Sequence, residues 1–62
     1  MNFILVHNAN DGGSVWLRAD SIQAVIPKED QAMLLTSQIP ALRVKESATA
    51  VLDAIRRAED DR

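Results

Sequence analysis

The chain has 62 residues, 47% of them hydrophobic, with a formal net charge of −2, one His and no Cys. That length holds one domain, residues 1–62, and the hydrophobic share sets it apart from disordered chains. The absence of Cys excludes disulfides and, with a single His, argues against a structural zinc site; the acidic balance disfavours a protein built to hold phosphate backbones.

Residues 2–8 read as a first strand. Phe3, Ile4, Leu5 and Val6 are consecutive, and an apolar run without alternation predicts a strand covered on both faces. Phe3, Leu5 and His7 share one face; Ile4, Val6 and Asn8 share the other. Residues 9–13, Ala-Asn-Asp-Gly-Gly, are the strongest turn signal in the chain. They lack the Gly-x-Gly-x-x-Gly spacing, and the following Lys-Ser/Thr, of a phosphate cradle, so they read as a hairpin loop. The second strand, 14–18, points Val15 and Leu17 toward the helix and Trp16 to the opposite, open face. Residues 19–21 break the pattern as a tight turn or a single helical turn begun by Asp20.

The third strand is predicted over 22–26, where Ile22, Ala24 and Ile26 alternate with Gln23 and Val25. Pro27, which has no N–H for a ladder, ends it. Residues 28–31 form a charged hairpin tip. The fourth strand, 32–36, is apolar on both faces, with Met33 and Leu35 set against Ala32 and Leu34. After a loop at 37–40 comes a fifth strand over 41–45, Leu42 and Val44 facing in, Arg43 and Lys45 facing out. The helix follows at 47–59. Ala48, Val51, Leu52, Ile55 and Ala58 form its apolar stripe. Ser47 caps its first turn, and Asp53 stands three and four residues before Arg56 and Arg57, an ion-pairing distance on a helix surface. The last residues, with Asp60 and Asp61, read as a solvated tail that frays. The fold class is therefore α+β: a small antiparallel sheet of four to five strands with one C-terminal helix packed on one face.

One helix covers one face of such a sheet. The apolar surplus on the other, drawn from Phe3, Leu5, Trp16, Val25 and Leu34, predicts a protein-interaction surface, covered most simply by a second copy in a homodimer. Trp16, the only Trp, is its natural anchor. A domain this small buries only about 60% of its unfolded surface, which also favours association.

Catalytic chemistry is thinly represented. His7 lies on a strand with no sequence-evident partner and reads as structural. Asp11, Asp20, Glu29, Asp30 and Glu46 fall at turns or element ends, and Glu29-Asp30 lacks the oxygen spacing of a calcium loop. The expectation is no enzyme activity, no cofactor and no metal. Arg43, Lys45, Arg56 and Arg57 are the candidate nucleic-acid contacts, but an aromatic stacking platform is missing, so nucleic acid is the disfavoured partner. No apolar run approaches the ~20 residues of a membrane span, and the opening residues lack a signal-peptide pattern; a cytoplasmic location is expected.

Phe3-Ile4-Leu5-Val6, Gly12-Gly13, Arg18-Ala19-Asp20-Ser21-Ile22 and Val44-Lys45-Glu46-Ser47, followed by Val51 and Ile55, together resemble the FlbD-like small proteins of flagellar operons and prophages. The chain departs from that pattern at Ala19, where Pro is common, and at residues 37–40, where an Asn-Gly type of turn is common. The resemblance implies a sheet-plus-helix accessory or regulatory protein without catalytic residues. Length and element order are also similar to the carbon storage regulator family, dimers that bind messenger RNA through basic residues at sheet edges. The opening Leu-x-Leu-x-Arg-x-x-Gly-Glu signature of that family is missing here, and the acidic balance opposes the match.

Overall fold

A computed structural model describes residues 2–60. Among these, the elements run β1 (Phe3–His7), β2 (Ser14–Arg18), a 3-10 turn (Ala19–Ser21), β3 (Ile22–Lys28), β4 (Gln31–Thr36), β5 (Leu42–Val44) and α1 (Ala48–Asp60). The fold is α+β with antiparallel strand pairs. Asp61 and Arg62, expected in a frayed tail, lie outside the described residues, and Asp60 still belongs to the helix.

The strands form two sheets, β1-β2 and β3-β4-β5, where one continuous sheet is predicted. The reason lies in β5. Its three residues meet β1 only at that strand's C-terminal end, through an Asn8–Val44 bridge. There the Ala9 N–H donates to the Arg43 carbonyl and the Lys45 N–H to the His7 carbonyl, both at 2.9 Å. The chain then turns into α1, so β5 never runs beside Phe3 to Val6.

The loop between β1 and β2 folds as its residues demand. Asn8 and Asp11 each accept, through a side-chain oxygen at 2.8 Å, the backbone N–H two residues on. Gly12 takes a φ of 75°, which favours glycine. β3 continues past its predicted end, and Pro27 pairs with Ala32. Lys28 and Gln31 close a two-residue loop as a hydrogen-bonded pair, so the next pair along is of the non-bonded kind. The nitrogen of Pro27 therefore faces the outer edge, where a missing donor leaves no gap in the ladder.

The core gathers Ile4 and Val6 of β1, Leu17 of β2, Ala19, Ala32 and Leu34 of β4, Leu42 and Val44 of β5, and Val51 of α1. The helix crosses this core on Val51, with Ala48, Ala54, Ile55 and Ala58 packed around it. Leu52 is the correction to the predicted stripe: it is 55% exposed, because one step on from Val51 turns the side chain about 100° around the axis. The Ser47 hydroxyl accepts the Ala50 N–H at 3.1 Å, as an N-cap should. Asp53 holds Arg56 at 3.1 Å and Arg57 at 3.0 Å. The Asn2 side-chain amide donates to the Ala58 carbonyl, tying the last turn of α1 back to the start of β1.

Candidate interaction surface

Alternation along the first hairpin decides which side chains reach the outside. Ile4, Val6 and Leu17 enter the core, so their neighbours in sequence point away. Leu5 pairs directly with Trp16 and Phe3 with Arg18. Phe3, Leu5 and Trp16 are 47%, 40% and 64% exposed, and they lie together on one outer face. β1 is therefore covered on one face only, contrary to the expectation from its unbroken apolar run. Beside the cluster, a shallow depression of about 310 Å³ lies between Phe3, Trp16 and Arg18 on one side and Thr36 to Gln38 on the other. Arg18 and Asp20 form an exposed ion pair at 3.2 Å on its rim.

Val25 and Leu34 do not join this face. They are cross-strand partners turned inward, Leu34 wholly buried and Val25 half-buried against the core. For Val25 the cause is a register irregularity between Ile22 and Ala24, whereas Leu34 lies on the inner side of β4 with buried Ala32 and Thr36 by plain alternation. One extra residue reverses the alternation, so that Ile22 and Val25 both face the core. Ala24 and Ile26 then stand opposite Leu35 and Met33 on the outer side, all four half-buried. These residues, and not Val25 and Leu34, carry the apolar surplus of the second sheet. Nothing in the alternation of the sequence marks the shift.

The four basic candidates are divided. Arg43 and Lys45 point out from β5, on the side opposite Leu42 and Val44. Arg56 and Arg57 are on α1, which packs over the inner side, and both already bind Asp53. The structure brings together no patch containing all four.

His7 has a partner that the sequence conceals by 39 positions. Its Nδ1 lies 2.6 Å from Glu46 Oε2, and its backbone N–H donates to Glu46 Oε1 at 3.0 Å. Burial pushes the Glu46 carboxyl up, but hydrogen bonds from the His7 ring, the His7 N–H and its own backbone outweigh that, and the net displacement is downward. Ser14 faces His7 across the hairpin, yet no hydrogen bond joins them, so the pair activates no hydroxyl. Among the described residues, no three acidic, His or Cys side chains gather as metal ligands, and no helix is long and apolar enough to cross a membrane. No protein-family model, no curated protein and no solved structure matches this chain.

Proposed function

We propose that this chain is a non-enzymatic, cytoplasmic protein-interaction module of accessory or regulatory kind, self-associating through its uncovered sheet face. One observation carries the reading: Phe3, Leu5 and Trp16, three of the largest apolar side chains, stand exposed side by side on one hairpin. Clusters of this sort mark association surfaces, and a rigid aromatic at the centre is the usual anchor. The resemblance to FlbD-like accessory proteins supports the same class. Nucleic-acid binding, the competing reading, is weakened by the division of Arg43 and Lys45 from Arg56 and Arg57.

Sedimentation equilibrium tests the proposal. The wild-type chain should show a concentration-dependent dimer, and Trp16→Ser should shift it to monomer without loss of fold. A chain that stays monomeric into the high micromolar range refutes self-association. Salt-sensitive RNA binding by a monomer would favour the competing reading.

A further inference from the structure

A second surface lies at the edge of β1, around the corner from the exposed face. Backbone parity exposes it. Asn8 N–H bonds the Gly13 carbonyl and Ala19 N–H the Asn2 carbonyl, so the even-numbered residues of β1 direct their polar groups to β2. The odd-numbered ones turn the other way, where His7 and Ala9 meet Glu46 and β5. β5 goes no further, and the N–H and C=O groups of Phe3 and Leu5 face an edge that no strand covers. Opposite that edge runs α1, and the space between is a groove of about 270 Å³ lined by Phe3, Ile4, Leu5, Ala54, Arg57 and Ala58. Ala54 and Ala58, one turn apart, are the small side chains that keep it open.

We infer that this groove accepts an extended peptide segment of another protein as an added strand beside β1, with an acidic residue of that segment meeting Arg57. Unpaired edge groups supply the register for such an addition. The edge also lacks the devices that discourage pairing: β1 carries no Pro and no charged Lys or Glu, whereas the outer edge of β3 has Pro27, a bulge and Lys28. Charge selects the occupant. Among the described residues Arg57 is the only charged side chain in the lining, and its one ion pair, with Asp53, is solvent-exposed and shared with Arg56. A second copy of the chain fits less well. Its β1, Phe-Ile-Leu-Val-His, offers no carboxylate, and a two-fold pairing would bring a second Arg57 toward the first.

The test is selection of displayed random 12-residue peptides on the full-length chain, followed by amide exchange with the selected peptides. Enriched peptides should contain Asp or Glu and slow exchange at the Phe3 and Leu5 amides. Their affinity should fall about tenfold or more with Arg57→Glu and with a synthetic chain N-methylated at Leu5, a position whose N–H the fold leaves unused. Trp16→Ser should leave it unchanged, which separates this groove from the exposed face. The inference is overturned if no peptide is enriched, if binding ignores Leu5 methylation, if neutral peptides bind as well as acidic ones, or if self-association already protects the Leu5 amide in the free chain.

Discussion

Glu46 holds His7 twice, by the ring nitrogen at 2.6 Å and by the backbone N–H at 3.0 Å. This clamp fastens the end of β1 to the segment between β5 and α1, where the two sheets meet. The Glu46 carboxyl is held below its ordinary value in the folded chain. The unfolded chain therefore takes up the proton first as pH falls, and stability rises with pH through that window. The contribution is complete above the unfolded value of about 4.3 and is lost as pH drops through the folded one. Thermal unfolding followed by circular dichroism should show Glu46→Gln less stable than wild type at pH 6, with the gap closing toward about pH 3. A gap that persists unchanged at acid pH contradicts the clamp.

The loop at 37–40 depends on one buried hydroxyl. Thr36 is buried, and its Oγ1 donates to the Ile39 carbonyl at 2.9 Å and accepts the Ile39 N–H at 2.8 Å. Thr36→Val preserves shape but removes both bonds, and should lose about 1–3 kcal/mol. Thr36→Ser keeps the hydroxyl and should lose less. Urea denaturation of the two variants checks the order; Val equal to Ser would mean the hydroxyl contributes nothing.

Leu34 and Trp16 should separate stability from association. Leu34 is fully buried and Trp16 is 64% exposed. Leu34→Ala should lose about 2–5 kcal/mol, enough to unfold much of a domain this small. Trp16→Ser should change stability by no more than about 0.5 kcal/mol, yet abolish dimer formation. Paired unfolding and sedimentation experiments decide; a large stability loss at Trp16 would make it a packing residue.

Glu29 has a φ of 57° at the first position of the β3–β4 loop. That conformation strains a residue with a Cβ by about 1–2 kcal/mol, while glycine adopts it freely at some entropic cost in the unfolded chain. Glu29→Gly should stabilise the chain by about 0.5–1 kcal/mol, a rise in Tm of several degrees. A fall in Tm would show that the Glu29 side chain supports the turn.

Local patterns carried much of this fold into view. The alternation of Val15 and Leu17 about Trp16 gave the outward Trp, and Ser47 announced the start of α1. What stayed hidden depends on contacts far apart in sequence or on one-residue shifts. The bulge after Ile22 reverses which side Val25 takes, and periodicity alone assumes no bulge. Pro27 reads as a terminator until the strand is known to lie at an edge. Leu52 fits an apolar spacing, but only the docked helix shows that Val51 and Ala58 centre its buried side. The splitting of the sheets and the His7–Glu46 clamp both arise where β1 meets the end of β5, a junction no local pattern encodes.

The bond from the Asn2 side chain to the Ala58 carbonyl closes residues 2–58 into a near-ring. Asn2 and the last helical turn lie within hydrogen-bonding reach, so a short peptide linker run from that turn back to Asn2 would follow a path the fold already takes. Ring closure would then act almost wholly on the unfolded ensemble, reducing its freedom by an amount that chain-entropy arguments put at about 4 kcal/mol for a loop of this size. The domain is thus already shaped for circularisation.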